Sequence, residues 1–234
     1  WQERAMSRHG YDVWLFDLDG TLVDVASSYI HETLGEVGDR LGHGFTPAEA
    51  EAVWHGFGGG ANRRLRERGI DVDAFWDTFH EVEDPLARAE ATALYEDAAW
   101  LGALDRPVGL VTHCQSYLTE PVLRRLDIRD WFDTVVCCDE STGWKPDPRP
   151  VELALADLDV GPDPSGPLVG DGPADVGAAR NAGLEGIHVE RHGHERRGTC
   201  VVGDRRLRSL ASLRPDTGGL ASDGGAEGRP TSGG

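Results

Sequence analysis

Lysine is almost absent from this chain. Among 234 residues with 41 acidic and 23 basic side chains, Lys145 is the only lysine, and arginine supplies every other cation. The formal charge of −18 argues against nucleic-acid or anionic-membrane partners, because both recruit basic surfaces. Cysteine is scarce as well. Cys114, Cys137, Cys138 and Cys200 form neither a CxxC pair nor the framework of a small secreted scaffold, so they read as reduced thiols. Met6 is the single methionine, and the WQERA before it has no signal-peptide apolar region. No apolar run approaches the length of a membrane span. Together these absences lead us to expect a cytoplasmic protein with no nucleic-acid and no membrane partner, and nothing in the pattern fixes an oligomeric state.

What is present begins with VWLFDLDGTLVD at residues 13–24. Val13 to Phe16 is a four-residue apolar run, which suits a strand buried on both faces. Asp17 and Asp19 follow at its carboxyl end, the edge where ligands bind in open α/β sheets. Asp19-Gly20 also suits the tight turn of a hairpin, so the rest of the chain must decide. From about Ser27 to Ala93 the pattern is helical, broken at Gly42-His43-Gly44 and Gly56 to Gly60, with Pro47 near a helix start and no convincing strand.

After Tyr95, short apolar runs alternate with amphipathic segments, which signals βα units. Strands are expected near Val108–Val111, Thr134–Cys137, Leu168–Val169, Gly186–Val189 and Thr199–Val202. Helices are expected near Asp97–Leu104, Ser116–Leu126, Pro148–Leu158, Ala174–Ala182 and Asp204–Leu213. The pattern predicts an α/β fold with a Rossmann-like core at 11–23 and 96–213, whose parallel sheet is flanked by helices. A helical cap at 24–95 follows the first strand. The Gly- and Ser-rich stretch 214–234 has little to bury and reads as a disordered tail. A first strand followed by a long insert and further βα units favours the parallel sheet over the hairpin.

Four stretches fall at the ligand edge of that sheet: DLDGT at 17–21, VTHCQ at 111–115, WKPDP at 144–148 and VGDGPADVGAARNAG at 169–183. In this order they resemble the haloacid dehalogenase-like superfamily of phosphotransferases, in particular its phosphoglycolate phosphatase and β-phosphoglucomutase-like branch, over residues 11–213. The resemblance implies that Asp17 is the nucleophile, since a carboxylate that attacks phosphorus splits hydrolysis into two easier steps. It further implies that Asp19 is the general acid and base, that Thr112 donates its hydroxyl to a phosphoryl oxygen, and that Lys145 neutralises both nucleophile and phosphoryl group. A Mg²⁺ cofactor would be held by Asp17, the Asp19 backbone carbonyl, Asp171 and Asp175, which are hard oxygen ligands.

His113 stands where many relatives carry Asn, and it reads as a neighbour of the substrate. In the Gly-rich stretch of the insert, Arg63 and Arg64 are candidates to grip an anionic end of the substrate, although an ordinary helix break explains the glycines equally well. His192 and His194 could bind a metal, but a pair without further ligands is usually a solvated loop. The implied activity is Mg²⁺-dependent hydrolysis of a small phosphorylated metabolite. A β-phosphoglucomutase-like phosphotransferase shares the same core residues. A non-catalytic phosphate-binding or interaction protein should have lost one of them. A haloacid dehalogenase lacks the second aspartate, and the superfamily's phosphonatases need a cap lysine that is absent here.

An acidic chain nearly free of lysine fits a salt-rich cytoplasm, where cations screen self-repulsion. A GC-rich genome explains arginine over lysine but not the acid excess. We therefore expect thermal midpoints to climb across a KCl series into the molar range, and a flat or falling series would leave codon usage as the explanation.

Overall fold

The computed structural model describes residues 10–215. The apolar run before Asp17 forms strand β1 (Trp14–Phe16), buried throughout. A short strand β2 (Val23–Val25) leads into five helices: α1 (Ser27–Leu41), α2 (Pro47–Trp54), α3 (Ala61–Glu67), α4 (Val72–Val82) and α5 (Pro85–Glu90). Strand β3 (Thr92–Leu94) then returns antiparallel to β2, pairing Val25 with Thr92 and Val23 with Leu94. This two-stranded ribbon was not legible in the helical texture, because three residues carry no measurable period.

Helix α2 shows how local chemistry sets an element. The Thr46 hydroxyl accepts from the Glu49 amide, the Glu49 carboxylate accepts from the Thr46 amide, and Pro47 occupies the first turn.

Beyond the insert, residues Glu96–Ala103 wind as a 3₁₀ helix where an α-helix was expected. The βα units follow: β4 (Val108–Thr112), α6 (Ser116–Arg125), β5 (Thr134–Cys137), α7 (Arg149–Asp157), β6 (Pro167–Gly170), α8 (Pro173–Asn181), β7 (Glu185–Val189), α9 (His194–Arg197) and β8 (Arg205–Leu207). They form one six-stranded parallel sheet in the order β5-β4-β1-β6-β7-β8. The chain is a Rossmann-like α/β fold. Because β1 lies between β4 and β6, the order reverses at its carboxyl end, and a crevice opens there.

The alternation along the first strand explains its unbroken hydrophobicity. Trp14 and Phe16 pack on one face with Leu110 and Val122, while Val13 and Leu15 pack on the other with Val111 and Ala178. The helices of the insert bury a third cluster built on Ile30, Leu34 and Val37 of α1, with Leu65, Phe75 and Phe79 facing them. The spacing of the α1 residues is the helical i, i+4, i+7 pattern.

The end of the sheet differs from expectation. No strand forms over Thr199–Val202, and the helix expected from Asp204 is instead β8 followed by a 3₁₀ turn at Leu210–Leu213. The reason lies in Asp204, whose carboxylate accepts from the Gly186 amide at 2.8 Å and pairs with Arg180 at 2.9 Å. These contacts start the pairing with β7 at Arg205, three residues beyond the β-branched pair Val201-Val202. Of the stretch 214–234 read as a tail, residues 216–234 lie outside the described residues, as does 1–9.

Phe75 is fully buried and its ring packs against Phe45, Trp76 and Phe79. Phe75→Ala should therefore lower unfolding stability by about 3–5 kcal/mol, read from the urea midpoint. A loss near zero would mean that the cluster does not hold the insert together.

Candidate active site

Three connections that follow sheet strands deliver charged groups to the crevice. Asp17 follows β1, Asp171 follows β6, Asp175 sits in the first turn of α8, and Lys145 comes from the β5–α7 connection. The Lys145 ammonium donates to Asp17 Oδ1 at 2.7 Å, to Asp175 Oδ1 at 2.6 Å and to the Val111 carbonyl at 2.8 Å. Asp17 Oδ2 accepts from the Thr21 hydroxyl at 3.2 Å. The second oxygen of Asp175 accepts from the Gly172 amide at 2.9 Å, which caps α8. Gly20 makes the turn beneath the cluster with φ of 73°, and a Cβ there would stand 2.9 Å from Asp171 Oδ2, so only glycine fits.

One oxygen each from Asp17, Asp171 and Asp175 lie within 4.8 Å of one another. Three carboxylates this close carry more negative charge than the single ammonium among them offsets. Burial pushes Asp17 up, against the pull of Lys145, and Asp175 and Asp171 push it further. Burial likewise raises Asp171 to about 7 although the Arg197 guanidinium opposes it. Burial alone would raise Asp175 too, but Lys145 and the Gly172 amide hold it below the usual carboxylate range. The donor set is hard and anionic, with Asp17 and Asp175 buried and Asp171 half-buried, and it suits a divalent cation with oxygen preference.

Thr112 ends β4, fully buried, and its Oγ1 accepts from the Cys114 amide at 3.0 Å, which leaves its own hydrogen free to donate. Asp19 lies two residues beyond Asp17, and its carboxylate accepts from Arg88 of α5. His113 is exposed beside Thr112, its ring 5.7 Å from that of Trp144.

The structure does not bring Arg63 or Arg64 to the carboxylates. Arg63 pairs with Glu67 one turn along α3 at 2.7 Å, with both side chains more than half exposed, and Arg64 donates to the Phe57 carbonyl and folds over Gly58. The glycine stretch thus serves its own arginine. His192 packs its ring 4.3 Å from His55 and 5.1 Å from Phe57, an aromatic contact rather than a metal pair.

Three arginines escaped the sequence reading. Arg88 reaches Asp19, Arg197 donates to Asp171 Oδ2, and Nη2 of Arg191 donates at 2.8 Å both to the Thr21 carbonyl and to Asp97. In a chain where nearly every cation is arginine, composition gives no signal for them.

A parallel sheet with an acid at the end of its first strand, a buried ammonium and two further acids on the neighbouring loop defines a hydrolase-type α/β site. The chain belongs to the haloacid dehalogenase-like hydrolase family, whose sequence profile matches residues 14–189. It is 32% identical over 205 residues to the N-acetylmuramic acid 6-phosphate phosphatase of Pseudomonas aeruginosa, covering 81% of this chain and 85% of that protein. It is 31% identical to the phosphoglycolate phosphatase of Pseudomonas putida, covering 73% of this chain and 66% of that one. Among solved structures, CbbY from Rhodobacter sphaeroides in complex with phosphate superposes with a TM-score of 0.67 at 25% identity, over 87% of this chain and 96% of that chain. With these relatives, the chain is an enzyme of the phosphoric monoester hydrolase class.

Lys145→Ala would leave Asp17 and Asp175 buried without their cation. We expect a loss of about 3–5 kcal/mol in urea unfolding at neutral pH without added metal. A loss under about 1 kcal/mol, the scale of an exposed pair, would contradict the central place given to this contact.

Proposed function

We propose that the chain is a Mg²⁺-dependent phosphatase that hydrolyses a small phosphorylated metabolite by way of an aspartyl-phosphate on Asp17. The observation that carries this reading is the Lys145 ammonium seated between Asp17 and Asp175 with Asp171 beside them. Asp17, the Asp19 backbone carbonyl, Asp171 and Asp175 would hold the cation, whose chemistry is to offset the repulsion between the carboxylates and the substrate's phosphoryl oxygens.

In the first step a carboxylate oxygen of Asp17 attacks phosphorus, the bond from phosphorus to the ester oxygen breaks, and Asp19 delivers its proton to that oxygen. In the second step a water gives a proton to Asp19 and attacks the same phosphorus, releasing inorganic phosphate and regenerating the Asp17 carboxylate. Lys145 and the Thr112 hydroxyl stabilise the charge on the transferring group throughout. The helical insert at 24–95 acts as a cap that shields the aspartyl-phosphate from bulk water. His113, at the rim beside Thr112, is a substrate neighbour. The relatives are named for N-acetylmuramic acid 6-phosphate, phosphoglycolate and pyrophosphate, and these share only a small size and a phosphoryl group. We propose that this is also the substrate class here, met in the cytoplasm, where such metabolites are found.

Asp17→Asn should abolish turnover of a phosphate ester while the variant keeps its fold, because an amide cannot form the acyl phosphate. Magnesium at a hundredfold its dissociation constant should stabilise the parent by about 2.7 kcal/mol, read as a raised thermal midpoint, and Asp171→Asn should lose that gain. Near-normal turnover by folded Asp17→Asn would sink the nucleophile assignment.

A further inference from the structure

Arg88 is the largest of the fully buried side chains, only 1% exposed, and it belongs to α5 of the insert rather than to the sheet. A guanidinium is kept away from water only where its donors are met. Nη1 of Arg88 donates to the Thr92 hydroxyl at 3.2 Å, and that hydroxyl donates back to the Arg88 carbonyl at 2.7 Å. The guanidinium lies 4.9 Å over the Trp54 ring, and Nε is 3.9 Å from Glu83 Oε1. Burial pushes Glu83 up to about 7, so near neutral pH it is a carboxylate only in part. These contacts fix Arg88 from within the insert, and its remaining arm, Nη2, donates to Asp19 Oδ1.

Seen from Asp19, the pairing is one-sided. Its side chain is 31% exposed, against 1% for Arg88. Among the described residues Arg88 is the one hydrogen-bond donor to the carboxylate, and it takes Oδ1, leaving Oδ2 unengaged. A group that must pass a proton to a particular oxygen needs to stay within hydrogen-bond reach of it. A free aspartate on a loop samples several rotamers, and a misplacement of about 1 Å can cost on the order of a hundredfold in rate.

We propose that Arg88 is a positioning residue for Asp19: from its place in the helical insert it anchors Oδ1 so that Oδ2 is presented to the bridging oxygen of the substrate. This rests on the assignment of Asp19 as the general acid and base.

The test compares kcat and KM on an alkyl and an aryl phosphate for the parent enzyme, Asp19→Ala, Arg88→Ala, Arg88→Lys and the Asp19→Ala/Arg88→Ala double variant. A poor alkoxide leaving group needs the proton and an aryl oxide needs it far less. Asp19→Ala should therefore lose about tenfold or more on the alkyl ester beyond its loss on the aryl ester. Arg88→Ala should show the same selectivity at smaller amplitude, in kcat, with KM within about twofold of the parent. The double variant should be no slower than Asp19→Ala, since two residues that act through one group are not additive. Arg88→Lys keeps the charge and most of the bulk, and it should recover part of the alkyl rate.

Equal losses on both esters in Arg88→Ala, a loss confined to KM, or multiplicative losses in the double variant would each overturn the proposal. If Arg88→Ala does not fold, Arg88→Lys carries the same comparison, and equal losses on both esters in that variant overturn it too. The two readings fail separately. A flat leaving-group response in Asp19→Ala overturns the assignment of Asp19 and takes this inference with it. A selective Asp19→Ala beside a flat Arg88→Ala overturns this inference alone.

Discussion

One ammonium holds the crevice together. Asp17, Asp171 and Asp175 converge at the carboxyl end of the sheet, and without a cation their mutual repulsion would drive the loops apart or force protonation. Lys145 has three N–H donors, and each finds an acceptor on a different element: Asp17 after β1, Val111 in β4 and Asp175 at the start of α8. A guanidinium presents its donors in one plane, and it could not reach three acceptors grouped around a single point. In a chain that uses arginine everywhere else, the one lysine stands where a compact tetrahedral donor is required.

The remaining acids are served by arginines from the flanks. Arg197 of α9 pairs with Asp171 and Arg88 of α5 pairs with Asp19, both guanidiniums being nearly inaccessible. Each of the four aspartates thus has a basic partner, yet burial still pushes Asp17 and Asp171 up. Lys145 and Arg197 do not offset the cost of burying these carboxylates. That cost has the sign and the position that a divalent cation would correct. The charge imbalance therefore bears on function, since any set of neighbours that fully neutralised the acids would also remove the attraction for a cation.

What was legible in the sequence follows from the range of the signals. The strands of the core declared themselves because both faces of the sheet are buried, so Val13 to Phe16 and Val108 to Val111 read as unbroken apolar runs. Asp17, Asp171, Asp175 and Lys145 were legible because short motifs hold them at fixed offsets from strand ends. The β2–β3 ribbon was not, since its pairing joins residues about 70 positions apart and each strand has three residues. The last strand was misplaced because β propensity pointed to Val201-Val202, whereas a polar contact from Asp204 sets the register. Arg63 and Arg64 looked available for an anion until Glu67 and the Phe57 carbonyl took them. Arg88 and Arg197 were hidden for a different reason: a buried ion pair between distant segments leaves no local pattern at either end.

The position of the insert gives these pairs a common logic. The ribbon begins at Val23, four residues after Asp19, and Asp19 itself bridges to Val23 while the Gly20 amide donates to the Val23 carbonyl at 2.8 Å. Asp19 is therefore the site acid nearest the point where the insert leaves the core, and it takes its basic partner from the insert. Asp17 and Asp171 on loops of the sheet, and Asp175 in the first turn of α8, take theirs from Lys145 and Arg197, both outside the insert. The insert also reaches Asp171 at one remove, since the Gly58 amide donates to the Arg197 carbonyl at 2.8 Å, whereas the three acceptors of Lys145 all lie outside it. Groups that bind a phosphoryl charge must be rigid to be effective, because their value lies in being oriented before the reaction. On the proposed mechanism Asp19 is the proton carrier, and it is the one site acid whose basic partner, Arg88, belongs to the insert rather than to the sheet.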